Sequence, residues 1–307
     1  MKILVSGSLA YDRIMDYGGI FGDHLLPDKL DDINVSFTVD NLTENFGGTA
    51  GNIAYALHCM GETPVLLGTL GYDHYRYSDR LKELNIDTEF VKIIESDATS
   101  SGFVTTDSQD NQITAFNLGA MKYECDFTDE SIDLSEAMAI IAPGNIQDMV
   151  RLSQIYHDNN VYSIFDPSQS LPIWNGEDLR TAISQNDVTI SNLYELSLIE
   201  SITNLSKADI IELAGTLITT MGNEGSKIFQ NGNITHIDCI HVEDVIDPTG
   251  AGDSYRGGLL KGLILGWNLE KSCQLGAIVA SRAVCSRGTQ NYSISFEEVS
   301  DVICDNY

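Results

Sequence analysis

Short apolar runs recur at residues 3–5, 65–67, 139–142, 162–165, 188–190 and 217–219. Each is too short for a helix and is bounded by polar or turn-forming residues, so each reads as a buried strand. Between several of them the spacing turns helical. Ala50, Ile53, Ala54, Leu57 and Met60 predict a one-faced helix over 50–60. Leu259, Leu260, Leu263 and Ile264 predict another that begins near Asp253. Strands alternating with helices imply an α/β fold with a mostly parallel sheet covered on both faces.

Two stretches break this rhythm. Ile33, Val35, Phe37 and Val39 alternate with polar residues, which is the period of a half-buried strand. Residues 102–106 and 112–116 flank the turn-rich Asp107-Ser-Gln-Asp-Asn111 and predict a hairpin. These insertions, 13–45 and 97–118, are expected to form a small discontinuous β lid. The remainder, 1–12, 46–96 and 119–307, would be one large α/β domain.

Charge narrows the function classes. Against 17 Lys and Arg stand 45 Asp and Glu, a formal charge of −28, which repels nucleic-acid phosphates. No apolar run approaches the ~18 to 20 residues of a membrane span, and Met1 to Ser6 enter a strand without a signal-peptide pattern. A soluble cytoplasmic protein is expected, with neither nucleic-acid nor membrane partners. Cys59, Cys125, Cys239, Cys273, Cys285 and Cys304 form no C-x-x-C pair and are expected as buried free thiols.

The strongest chemical signal is Asp247-Pro-Thr-Gly-Ala-Gly-Asp253 at a helix start. Gly250, Ala251 and Gly252 leave backbone N–H groups bare, and the helix dipole adds positive potential, so an anion can bind without a lysine. A carboxylate at the same turn, Asp253, can take a proton from a hydroxyl beside that anion, which fits phosphoryl transfer to an alcohol. A second cluster, Phe46-Gly-Gly-Thr-Ala-Gly-Asn52, pairs Gly47 and Gly48 with an amide able to donate and accept. Asp12 closes the segment after the first strand, where open α/β sheets bind ligands, and is placed to clamp sugar hydroxyls.

Together these segments resemble the two signatures of PfkB-type carbohydrate kinases, the ribokinase-like superfamily, and the resemblance runs nearly end to end. It implies a three-layer α/β/α domain with a small β lid, ATP and Mg²⁺ as cosubstrates, and transfer of the γ-phosphoryl group to a primary alcohol. A monovalent cation such as K⁺ is a further cofactor to consider. By that resemblance Asp253 is the catalytic base and Gly250, Ala251 and Gly252 the anion hole. Asp12, Gly47, Gly48 and Asn52 hold the acceptor. Asn192 and Glu195 match the N-x-x-E element that organises hydrated Mg²⁺ and phosphate, and Thr220, Gly222 and Gly225 match the loop that meets the nucleotide. Other segments look more like bacterial adenosine and nucleoside kinases: Gly7 to Asp12, His24-Leu-Leu-Pro-Asp28 with Asn34-Val-Ser-Phe37, Gly119-Ala-Met121, Asp166-Pro-Ser-Gln169 and Gly288-Thr-Gln290. Gln169 would be directed at the acceptor, and Phe37, Phe116 and Met121 would wall a base pocket. Ser168 departs from the Gly that close relatives often show, and Pro248 from Thr.

The expected activity is therefore phosphorylation of a nucleoside 5′-hydroxyl, adenosine first, by a monomer or a lid-mediated homodimer. A ribokinase-type sugar kinase is the alternative. A hydrolase is disfavoured because Arg256 replaces the closing Gly of a G-x-S-x-G elbow. A noncatalytic nucleotide sensor would not need Asp253, and no P-loop motif occurs. The lid segments offer only Arg13 and Lys29 as bases amid many acids, which argues against a phosphorylated acceptor.

Overall fold

The computed structural model describes residues 1–24, 34–109 and 111–299. In chain order the elements are β1 (Lys2–Ser6), β2 (Ala10–Asp16), β3 (Asn41–Gly47), α1 (Thr49–Cys59), β4 (Val65–Gly71), α2 (Tyr75–Glu83), β5 (Asp87–Ile94), β6 (Ser100–Thr106) and β7 (Gln112–Asn117). They continue as β8 (Ala137–Ile141), α3 (Ile146–Asp158), β9 (Tyr162–Phe165), α4 (Gly176–Gln185), β10 (Val188–Asn192), α5 (Leu193–Thr203) and α6 (Lys207–Ala214). The last are β11 (Thr216–Thr220), β12 (Ser226–Gln230), β13 (Asn233–Ile237), α7 (Ala251–Ile264) and α8 (Leu269–Ala283).

All six predicted apolar runs are strands of one nine-stranded sheet, ordered β13-β12-β11-β10-β9-β8-β1-β4-β5. It is parallel except at its β11-β12-β13 edge. Alternate side chains feed two cores. Ile3 and Val5 pack with α1, α2, α7 and α8 on one face, while Leu4 packs with α3 to α6 on the other. The five apolar residues of the predicted 50–60 helix are all buried.

A second sheet, β3-β2-β6-β7, is four-stranded. The predicted hairpin is β6-β7, and Asp107 secures its turn by accepting from the N–H groups of Gln109, Asn111 and Phe21. Two expectations need correction. Val35, Phe37 and Val39 do alternate in burial, but they join no ladder. Phe37 instead packs among Tyr17, Phe21 and His24, an aromatic cluster that supplies burial without strand pairing. The strand of this region is β3, so the small sheet runs from Ala10 and reaches Gly47. The expected limits at 12/13 and 45/46 thus fall inside β2 and β3, because the antiparallel ladder pairs Ala10 with Gly47. Ile33 and residues 25–28 lie outside the described residues.

The five described cysteines are free, and only Cys125 and Cys273 are buried; Cys304 lies outside the described residues. Among the described residues no helix is long and apolar enough to cross a membrane.

Candidate active site

The carboxyl ends of β1, β9, β10 and β11 and the N-termini of α1, α5 and α7 open on one edge of the large sheet, the usual ligand edge of open α/β folds. The small sheet joins that edge where β3 runs into α1. Gly48 caps α1 at φ 86, and a side chain there would lie 2.5 Å from the Ser8 carbonyl, so only glycine fits the junction. Since Gly48 cannot cap with a side chain, the Ser8 hydroxyl accepts from Thr49 N–H at 3.0 Å instead.

α7 starts at Ala251, with Gly250 as its left-handed N-cap. Asp253 is therefore the third helical residue and not a capping aspartate. The Ala251 N–H reaches back to the Pro248 carbonyl at 3.3 Å. Among the first-turn donors, those of Gly252 and Asp253 are left for whatever binds there. Asp247 ties down the approach: its carboxylate accepts from Thr249 N–H and Gly288 N–H, both at 2.9 Å. Burial pushes Asp247 upward, but those donors, with Arg287, hold it below the ordinary carboxylate value.

Asn52 links the two glycine-rich segments. Its Nδ2 donates to Asp253 Oδ2 at 2.8 Å, while its Oδ1 accepts from Gln290 Nε2 at 3.1 Å. Gln290 also donates to the Tyr77 hydroxyl, which donates to the Gly47 carbonyl at 2.6 Å. This chain fixes which way the Asn52 amide points. Burial pushes Asp253 up to about 6, opposed by Asn52 and Arg256 and reinforced by Asp166 and Asp12.

Asp12 sits in the middle of β2, not at the end of a large-sheet strand as expected. Its carboxylate lies against Gly47, and its row across the small sheet is Asn45, Asp12, Gly102 and Phe116. No described residue donates a hydrogen bond to it. Burial, then Asp247, pushes it up to about 6. Arg13, one residue on, faces away: it pairs with Glu44 at 2.8 Å and lies over the Tyr11 and Phe103 rings. Of the expected base-pocket walls, Phe116 shares the face of Asp12, whereas Phe37 lies in the aromatic cluster. Met121 lines a small cavity beside Gly7 and Asn145.

Asn192 and Glu195 form the capping box of α5. Asn192 Oδ1 accepts from Glu195 N–H at 2.8 Å, and Glu195 Oε2 accepts from Asn192 N–H at 2.7 Å. Burial raises Glu195 above the ordinary carboxyl value, against the Asn192 N–H. Among the described residues no three His, Cys, Asp or Glu side chains gather as a metal cage. One half-buried carboxylate beside an amide suits an ion that keeps most of its water and phosphate ligands, the habit of Mg²⁺. Thr220, Gly222 and Gly225 form the β11-β12 turn and line a cavity of ≈ 520 Å³ together with Val245, Ala251 and Gly252. Gln169 is exposed and makes no hydrogen bond to a described residue. It follows Ser168, whose φ of 24 lies in the region favouring glycine.

Sequence reasoning missed the role of Arg256, and with it Asp166 and Tyr77. Arg256 is buried and forms an ion pair with Asp166, while Ser168 Oγ donates to Asp166 at 2.5 Å and accepts from Arg256 Nη2 at 3.1 Å. An arginine one turn before Leu259 and Leu260 was the available signal, since a charge on a buried helix face demands a partner.

A model of the pfkB family of carbohydrate kinases matches residues 2–295. The nucleoside kinase of Methanocaldococcus jannaschii is 32% identical over 300 residues, covering 97% of this chain and 95% of that protein. Burkholderia thailandensis nucleoside kinase in complex with inosine superposes with a TM-score of 0.87 at 34% identity, covering 99% of this chain and 98% of that one. Its ADP-inosine complex gives 0.82 at 35% identity, with 99% and 96% covered.

Proposed function

The chain belongs to the pfkB family of carbohydrate kinases and is a phosphotransferase of ribokinase-like fold. From that premise we propose that it transfers the γ-phosphoryl group of ATP to the 5′-hydroxyl of a purine nucleoside, with adenosine as the first acceptor to expect. The observation that carries this reading is the 2.8 Å bond from Asn52 to Asp253. It sets the base candidate at the mouth of an anion-binding helix start, on the same opening as an unsatisfied Asp12. The nucleoside kinases of B. thailandensis and M. jannaschii support the acceptor class.

In this mechanism Asp12 accepts from the ribose hydroxyls, and Gly47 and Gly48 let the sugar lie close to the backbone. Asp253 removes the 5′-hydroxyl proton as the new P–O bond forms, and the N–H groups at the start of α7 hold the phosphoryl oxygens. The turn of Thr220, Gly222 and Gly225 meets the nucleotide. Asn192 and Glu195 would hold Mg²⁺ through its water, and that ion would neutralise phosphate charge when bound. The small sheet acts as the lid, closing from β2, β3, β6 and β7 to exclude water.

A neutral acceptor follows from the bases available. Arg13 is spent on Glu44 and faces away from Asp12, so nothing described in the small sheet offsets an acceptor's own phosphate. Phe116 on the Asp12 face suits a nucleobase ring. With adenosine, inosine, guanosine, cytidine, ribose and fructose 6-phosphate assayed side by side, a purine nucleoside is expected to exceed fructose 6-phosphate in kcat/KM by at least about tenfold, or ~1.4 kcal/mol. A higher value for the phosphorylated sugar overturns the acceptor class.

The pH dependence follows from the two raised carboxyls. Asp253 must be ionised to take a proton and Asp12 to accept from two hydroxyls, and both sit at about 6. Activity is thus present above pH 6 and lost as pH falls through it. In kcat/KM, which reports the free enzyme, the acid limb should approach a slope of two. In kcat it should be near one, because bound hydroxyls lower Asp12. A kcat/KM flat to pH 5 contradicts both assignments.

A further inference from the structure

Arg256 has one nitrogen that the ion pair does not use. The side chain is only 4% exposed, and Asp166, its partner, 1%. Nε contacts Asp166 Oδ2, and Nη2 donates to Asp166 Oδ1 at 2.9 Å and to Ser168 Oγ at 3.1 Å. Nη1 makes no hydrogen bond to any described residue. The side chain leans back one helical turn, as helical side chains do, so Nη1 lies over Gly252. A Cβ at 252 would stand 2.9 Å from it. Gly252 is exposed, borders the ≈ 520 Å³ cavity and lies in the first turn of α7. A guanidinium only donates, and an unused charged donor beside a helix start is a site where an anion can accept a short, charge-assisted hydrogen bond.

We infer that Arg256 is a phosphate-binding residue of this site: anchored through Nε and Nη2 to Asp166 and Ser168, it presents Nη1 beside Gly252 to the terminal phosphoryl group of ATP. This rests on reading the site as one of phosphoryl transfer, and it adds a cation to a first turn whose other side chains are neutral or acidic. It also gives Gly252 a reason to lack a side chain. Ser168 holds its strained backbone because its hydroxyl is shared between Asp166 and Arg256. Burial works against the charge of the guanidinium, but Asp166 after β9, Asp253 from the same helix and Glu195 from α5 outweigh it and raise its pKa above the ordinary value.

The test compares Arg256→Met with a double variant, Asp166→Asn with Arg256→Met. The single change leaves Asp166 buried without its partner and is prone to misfold, whereas the double change removes both charges at once. Binding of the non-hydrolysable ATP analogue AMP-PNP and of ADP, each with Mg²⁺, is measured by calorimetry, and kcat with ATP and inosine. The expected result, in whichever variant folds, is AMP-PNP weakened at least about tenfold, ADP weakened less than about threefold, and kcat lowered about a hundredfold or more. A merely structural role weakens both nucleotides alike, and that outcome overturns the inference, as does a double variant with wild-type kcat. Wild-type protein that prefers AMP-PNP over ADP through Arg256 but phosphorylates no nucleoside would sink the acceptor reading and leave this one standing.

Discussion

Asp253→Asn is expected to lower kcat by about 10² to 10⁴, the usual loss when a positioned base is removed, with both substrates still binding. Asparagine keeps the shape and still accepts from Asn52, so KM for the nucleoside should change by less than about threefold. The same substitution should raise the melting temperature at pH 7.5. The folded Asp253 holds its proton up to about 6, whereas its ordinary value is 3.8. The folded state therefore binds more protons between those values, and its stability falls as pH rises through the window. Above pH 6 the ionised side chain is a standing destabilisation, which asparagine removes. A variant with more than about half of wild-type kcat would remove Asp253 from the role of base. Lost activity together with a lowered melting temperature would mean that it holds the fold.

Asp12→Ala should act on the acceptor. A carboxylate accepting two hydroxyls loses roughly 1.5 to 3 kcal/mol per charged hydrogen bond. The nucleoside KM should therefore rise at least about tenfold, and about a hundredfold if both bonds are made. KM for ATP should stay within about twofold, because Asp12 lies on the small sheet, away from the Thr220 to Gly225 turn. Gly47 and Gly102 flank its carboxylate, and alanine leaves that space open, so refolding around the gap should be slight. If KM for ATP moves and the nucleoside KM does not, Asp12 belongs to the other substrate.

How far the sequence reached depended on the range of each interaction. The period of Ala50, Ile53, Ala54, Leu57 and Met60 is a local property, and all five are buried as it requires. The six apolar runs are strands for the same reason: burial on both faces of a parallel sheet leaves no polar positions inside them. Gly250 to Asp253 could be read as an anion site because a bare turn before a helix is defined by neighbours in sequence. Asn192 and Glu195 likewise form their capping box within three residues.

Tertiary structure decided everything that depends on distant segments meeting. Nothing near Asp12 in sequence marks it as a mid-strand residue whose carboxylate rests on Gly47; the β2-β3 ladder does that. The alternation of Val35, Phe37 and Val39 was real, but the aromatic partners of Phe37 gave burial without pairing. Asn52 is aimed at Asp253, 201 residues away, by Gln290, which lies 238 residues from Asn52. Arg256 carried the weakest local signal of all, a charge between apolar neighbours. Its meaning appears only when β9 brings Asp166 beneath α7 and leaves one guanidinium nitrogen unpaired beside Gly252. Periodicity is written into each segment, whereas a buried charge is defined by partners that only the folded chain assembles.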